Sequence, residues 1–186
     1  QYVMQKNRIV TTKPAGRFYY LFPQTVAIVG VQSNLMPAAW HSPISAQPPL
    51  YGVLISPKRH TYSLMTKESS FVINFLELVK AELIARLGST SGRTLNKLEY
   101  FNIGYSAAKE ASGASLHESY AAYECEKYAV HELGDHFLFV GKIILVHHRE
   151  GIVGKNDIVD ESLVKPVLYF GKDRYLTIDP KTLKLC

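Results

Sequence analysis

The stretch His136–His148, HFLFVGKIILVHH, does most to limit what this chain can fold into. Between its terminal histidines only Gly141 and Lys142 interrupt a run of aromatic and aliphatic residues. Such a run predicts a long strand with no polar face. A strand that is apolar on both faces needs cover on both sides, from a barrel interior and from a second subunit. The rest of the chain supplies companion strands. Thr25–Val31 (TVAIVGV) reads as a buried strand, Gln32-Ser33 as a turn, and Asn34–Trp40 as an extended piece that Pro37 assigns to an edge or bulge. Leu50–Ser56, Ser70–Phe75 and His117–Ala129 read as further strands. The last has one wet face, because Tyr123-Glu124-Cys125-Glu126 alternates apolar and acidic residues. Short extended pieces follow at 166–170 and 175–178.

Helices are predicted over 60–67, 78–87 and 95–101. In the second, Val79, Leu83 and Leu87 recur at i, i+4 and i+8, and Gly88 ends it. His41–Pro49, 104–115 and 151–160 read as loops from their proline, serine and small-residue content. Strands and helices do not alternate evenly, which argues against a doubly wound parallel sheet. A mainly β (α+β) architecture, a small barrel with short helical insertions, fits instead. At 186 residues one domain is expected, with residues 1–22 as an N-terminal arm.

Composition removes several function classes. A hydrophobic fraction of 47% against 20% charged residues excludes overall disorder. No run of about 18 apolar residues predicts a membrane helix, and the start QYVMQKNRIV lacks a signal pattern. Two cysteines, Cys125 and Cys186, make no disulfide framework, so a cytoplasmic location is expected. Cys125 lies between two glutamates that would raise its pKa, which favours a core thiol over a nucleophile. The net charge of +5 is a mild excess. Tyr19-Tyr20 near Arg17 is the sole hint of the aromatic and cationic interleaving that nucleic acid would require, and no nucleic-acid partner is expected.

Phosphate-loop, dinucleotide and nucleophile-elbow motifs are missing. His131 and His136 are five apart across a Gly-Asp turn, which is wrong for one helix face, and no metal site is expected. His147 and His148 point to opposite faces of their strand.

Four segments could carry chemistry. Ser56-Pro57-Lys58-Arg59-His60-Thr61-Tyr62 stands where a strand hands over to a helix and combines hydroxyls with cations, a setting for an anion. Its plain alternative is a helix cap with Ser56 at the N-cap and Pro57 at N1. Gly88-Ser89-Thr90-Ser91-Gly92-Arg93-Thr94, with Lys97 a turn later, has the same chemistry or is an ordinary connecting loop. Asn34–Ser45 offers Asn34, Trp40, His41 and Ser42 around the small Ala38-Ala39, where a flat heterocycle could approach the backbone, or where Trp40 plugs the core. His136, in a turn before a strand, matters only if it faces a ligand held by the other loops.

The ordered set formed by Asn34–Ser45, Pro48-Pro49-Leu50, Arg59-His60-Thr61-Tyr62, Phe71–Asn74, Gly88–Arg93 with Lys97, Glu124-Cys125 and Gly134-Asp135-His136 with Gly141 resembles the flavin reductase-like proteins, closest to their flavoredoxin-like branch. The resemblance runs over residues 24–170. It implies an FMN-binding split β-barrel and a noncovalent FMN site at a homodimer interface. Carried over, Asn34, Ala39, Trp40, His41 and Ser42 would line the isoalloxazine edge. Ser56, Arg59 and Thr61 would hold the phosphate. Ser89, Ser91, Arg93 and Lys97 would close over the ribityl phosphate, and His136 would face the nicotinamide. Many relatives carry a glycine-containing turn before the Asn34 position, where this chain has Val31-Gln32-Ser33. Asn74 matches a family position without an assigned contact. The implied function is an NAD(P)H-dependent flavin or ferric reductase. The alternative is an FMN electron-transfer module reduced by a redox protein partner.

Overall fold

The computed structural model describes residues 10–11, 13–14 and 18–185. Much of the expected N-terminal arm lies outside the described residues, as do Arg17 and Cys186. In chain order the elements are β1 (Gln24–Thr25), β2 (Ala27–Val31), β3 (Asn34–Ala38), β4 (His41–Ser45), β5 (Leu50–Ile55), α1 (His60–Lys67), β6 (Ser70–Phe75), α2 (Ala81–Ser89) and α3 (Lys97–Tyr100). Then follow β7 (Tyr105–Ala107), β8 (Ala114–Leu116), β9 (Ala121–Leu133), β10 (His136–His148), β11 (Leu168–Tyr169) and β12 (Tyr175–Leu176).

Seven strands form one sheet in the order β3-β2-β6-β9-β10-β5-β4, every adjacent pair antiparallel. β3 and β4 sit at its opposite edges, yet only Ala39 and Trp40 separate them in sequence. Laid flat, those edges would stand roughly 29 Å apart, while the connecting backbone reaches about 10 Å. The sheet must therefore roll until its edges meet, and the seam falls at Ala39-Trp40. The Leu54 N–H donates to the Trp40 carbonyl at 2.9 Å and fastens that seam to β5.

β2 shows how alternation fills two cores. Ala27, Val29 and Val31 point into the barrel with Val53, Ile55, Phe71, Ile73, Cys125 and Phe139. Ile28 points the other way and packs with Leu35, Ile84, Leu87, Leu98 and Leu116 under the helices. Gly141 on β10 has no room for a side chain, since a Cβ there would come within 2.6 Å of Phe71 and 2.7 Å of Cys125. Cys125 is buried and its thiol is pushed up to about 12 by burial, then by Glu124. Among the described residues no helix is long and apolar enough to cross a membrane.

Several local expectations change. β10 has the predicted bounds, but only its middle, Phe139 to Gly141, is fully buried, and Ile144 and Val146 are exposed. Residues 41–45 are a strand, because Pro43 is tolerated on an edge and a register irregularity absorbs it. The 104–115 segment is a β7–β8 hairpin that closes on the core. Gly113 lets it do so: with φ +156 it approaches Gly30 so closely that a Cβ would lie 2.7 Å from the Gly30 carbonyl oxygen. α2 begins at Ala81 after a 3-10 turn over Leu78–Lys80, so Ile84 and Leu87 face the core and Val79 is exposed. α1 starts at His60 with Arg59 at the N-cap position, so Ser56 and Pro57 do not cap it. The turn before β3 uses Gln32 itself in the left-handed region, φ +52.

The predicted wet face of the strand through Glu124 is the clearest correction. Glu124 is fully buried. It accepts the backbone N–H groups of Lys109, Glu110 and Ala111 at 2.9, 2.6 and 3.1 Å, and pairs with His147 Nε2 at 2.7 Å. Burial alone would raise its pKa. The Lys109 and Glu110 N–H groups and His147 outweigh burial and hold it below the usual range. Asn74, also fully buried, donates to the Ala114 carbonyl at 3.0 Å. Its carbonyl accepts from Leu116 N at 2.9 Å and Ser119 Oγ at 3.2 Å. It therefore staples β8 to β6.

Candidate flavin site

Two cationic loops face each other across β3. One leads into α1 and the other leaves α2. Between them lies a hollow of ≈ 230 Å³. It brings together the sequence-predicted Asn34, Arg59, Thr61, Ser89, Ser91, Arg93 and Lys97, and adds Lys58 and Thr90. Four cationic side chains and several hydroxyls line it, and no described carboxylate does. That donor set suits a phosphate dianion.

β3 supplies the polar floor. Asn34 Nδ2 donates to Thr61 Oγ1 at 2.9 Å. Asn34 Oδ1 is buried and has no partner, an acceptor that costs about 1–3 kcal/mol if left unmade. Gly92 packs so closely that a Cβ on it would sit 2.0 Å from that oxygen. Glycine is thus required for the loop to cover Asn34. Lys97 is nearly buried, and its Nζ donates to the carbonyls of Leu35 at 2.8 Å and Leu87 at 2.7 Å. An ammonium has three donors, so one remains. Burial, with Arg59 adding to it, lowers its pKa to about 8. His60 is lowered too, by burial and then by the charges of Arg93, Lys97 and Lys67.

A second hollow of ≈ 450 Å³ shares Arg59, Gly88 and Ser89 with the first. Ala39, Val26, Pro37 and Ile84 form apolar parts of its wall, and Tyr169, Asp173 and Tyr175 close it. The sequence reading missed these last three. Tyr169 and Tyr175 stand directly opposite each other across β11 and β12, with ring centroids 5.3 Å apart. Their signal was two tyrosines flanking a Gly-Lys-Asp turn, in which Gly171, Lys172 and Asp173 all have positive φ.

The other predicted residues lie elsewhere. Trp40, His41 and Ser42 line a third hollow of ≈ 580 Å³, which shares Ala39 with the second. Both His41 nitrogens are engaged, Nδ1 with Tyr51 Oη at 2.6 Å and Nε2 with the Thr25 carbonyl at 3.0 Å. Burial lowers the His41 pKa, and the Thr25 bond offsets part of that. Ser42 Oγ turns to its neighbour's carbonyl. Ser56 lines none of the three hollows. His136 packs its ring on Trp40 at 4.7 Å and its Nδ1 lies 2.7 Å from Asp135.

Residues 19–178 match the family model described as the flavin reductase like domain. The chain belongs to the flavin reductase-like family. Among solved structures, an FMN-binding protein from Thermus thermophilus with bound 1-cyclohex-2-enone is 34% identical, with a TM-score of 0.83 over 96% of this chain and 99% of that one. A flavoredoxin of Desulfovibrio vulgaris is 22% identical, with a TM-score of 0.81 over 94% and 97%, which speaks for the fold alone. An FMN reductase (NADH) of Agrobacterium fabrum is 29% identical over 110 residues, 58% of each chain. The second and third hollows meet at Ala39, on the seam where the two sheet edges close.

The residues fit FMN. The cationic hollow matches a phosphate, and the adjoining hollow gives a ring room beside Ala39, Val26 and Ile84. Together the two volumes fall in the range of cofactor sites.

Proposed function

We propose that this chain binds FMN noncovalently and is an oxidoreductase that uses NAD(P)H to reduce flavin or ferric iron. The observation that carries the reading is the carboxylate-free hollow, where Lys58, Arg59, Arg93 and Lys97 converge above the unpartnered Asn34 oxygen. Arg59 and Arg93 would grip the phosphate, the third Lys97 N–H would add a bond, and Asn34 Oδ1 would accept from a ribityl hydroxyl. Bound FMN would supply two-electron chemistry that no side chain here provides. The protein's share is anchoring and access. Ala39 leaves the ring space, and Asp135 fixes the His136 imidazole against Trp40, where it would steer the nicotinamide. In the same reading two copies pair. The exposed Ile144 and Val146 on β10 favour that pairing.

The visible spectrum of gently purified protein tests the first step. A flavin spectrum that moves to the supernatant on heat denaturation, and chromatographs as FMN, supports the reading. Colourless protein that also fails to bind added FMN overturns it. Steady-state NADH and NADPH oxidation with added flavin then tests the reductase assignment, and a coloured protein that oxidises neither removes it.

A further inference from the structure

Among the described residues one carboxylate lines the two hollows of the flavin site, and it belongs to Asp173. The β11–β12 turn that carries it goes against turn chemistry. The Arg174 N–H donates to the Gly171 carbonyl at 3.2 Å, so Lys172 and Asp173 are the central pair of the turn. Both have positive φ, +51 and +55, as in a primed hairpin turn. Such a turn favours glycine at its second central position. Here the glycine stands two places too early, at Gly171, and Asp173 takes the left-handed position that glycine would fill with less strain. The turn is tightly fixed all the same. A Cβ on Gly171 would lie 2.7 Å from the Tyr20 ring. Arg174 Nε and Nη2 donate to the carbonyls of Gly171 and Phe170 at 3.3 and 2.9 Å. Among the described residues no hydrogen bond or ion pair engages the Asp173 carboxylate, so the fold gains no bond from it. Its charge is felt on the wall of the hollow: burial first and Asp173 second push the Tyr175 phenol up to about 12.

We infer that Asp173 orients the flavin ring in its hollow, its carboxylate accepting the imide N–H of the ring's pyrimidine end. This role rests on the FMN binding proposed above. The ring has two unlike ends, an imide with its N–H between two carbonyls and a dimethylbenzene. A carboxylate only accepts, so the imide end matches it. Turned the other way, the ring would set hydrocarbon against Asp173, which would lose hydration and gain no partner. The rest of the wall agrees, because Val26, Pro37 and Ile84 give the hydrocarbon end its apolar cover. The strained turn is thus kept for the side chain it presents, not for the hairpin it closes.

FMN and 3-methyl-FMN, in which a methyl replaces the imide hydrogen, are titrated by fluorescence against the full chain freed of flavin. Wild type, Asp173→Asn and Asp173→Gly are compared, and thermal unfolding of each is recorded without flavin. Wild type should bind FMN at least about tenfold more tightly than 3-methyl-FMN, the worth of one charge-assisted hydrogen bond. Asp173→Gly should bind FMN about tenfold more weakly than wild type does and prefer it to 3-methyl-FMN by no more than about twofold. Asp173→Asn keeps an uncharged acceptor and should fall between them. Without flavin, Asp173→Gly should melt above wild type, since glycine suits the turn. A change that strengthens the fold while erasing discrimination at the imide is one that a merely structural aspartate would not produce. Equal wild-type affinity for the two flavins, or discrimination retained in Asp173→Gly, overturns the role. So does a lower melting temperature for Asp173→Gly, which would make the aspartate a turn residue. Wild type that binds neither flavin overturns the FMN reading itself, and the orienting role with it.

Discussion

Two asparagines, each buried in the same sheet, have opposite fates. Asn74 on β6 has its donor and its acceptor fully used, by Ala114, Leu116 and Ser119. Asn34 on β3 uses its amide nitrogen on Thr61 and leaves its oxygen bare. The surroundings follow suit. Every side-chain polar atom of Asn74 and of Glu124 meets a backbone or side-chain partner, and the result is a locked hairpin and loop. Around Asn34 the cations outnumber their partners, and the result is a hollow. A satisfied polar cluster holds a fold together, whereas an unsatisfied one waits for a ligand.

The largest test breaks the satisfied side. Glu124→Gln removes a charge that three backbone N–H groups and His147 share, and should cost about 3 kcal/mol in denaturant unfolding. The folded fraction should still bind FMN with unchanged affinity. Loss of affinity at intact stability would dissolve the contrast. The same pair of proteins sharpens it through pH. The Glu124 pKa is lower in the folded state, so its contribution is full above about 4.5 and fades as pH falls through the folded value. Wild type should therefore lose stability more steeply than Glu124→Gln as pH falls below about 4.5.

Next comes the unsatisfied side. Arg59→Ala should weaken FMN about 10- to 100-fold, the worth of a charged phosphate contact, with the unfolding midpoint unmoved. A flavin affinity equal to wild type by fluorescence titration would remove Arg59 from the site. Gly92→Ala should weaken FMN about tenfold, because its methyl must displace the loop from Asn34. Stability should shift by less than about 1 kcal/mol.

The smallest effect is a titration. Lys97 loses its charge near pH 8. As pH rises through that value, FMN affinity should fall about two- to fivefold as one phosphate partner loses its charge. Riboflavin, which has no phosphate, should show no such fall. Parallel curves for the two flavins would place the titrating group outside the phosphate hollow.

Much of the cationic hollow could be read along the chain because its parts are contiguous: hydroxyl and cation in one loop, glycine and cation in another. β10 was readable for a similar reason, its pattern being local. What escaped the sequence depends on distance. Glu124 looks like a solvent-facing residue until the 109–111 backbone folds over it. Asn74 finds its partners some 40 residues away. Tyr169 and Tyr175 gain meaning only when β11 and β12 carry them to Ala39 and Arg59. Residues 41–45 were misread because their prolines and serines outweigh a sheet edge that exists only after closure.

Ala39 and Trp40 also act as a ruler. They alone join the two outer strands, so their span sets how tightly the sheet rolls and how wide the mouth at its seam can be. One residue inserted there would relax the roll and enlarge all the hollows that meet at Ala39, without altering a single rung of the ladder. A single insertion could thus retune what the barrel admits while leaving what folds it untouched.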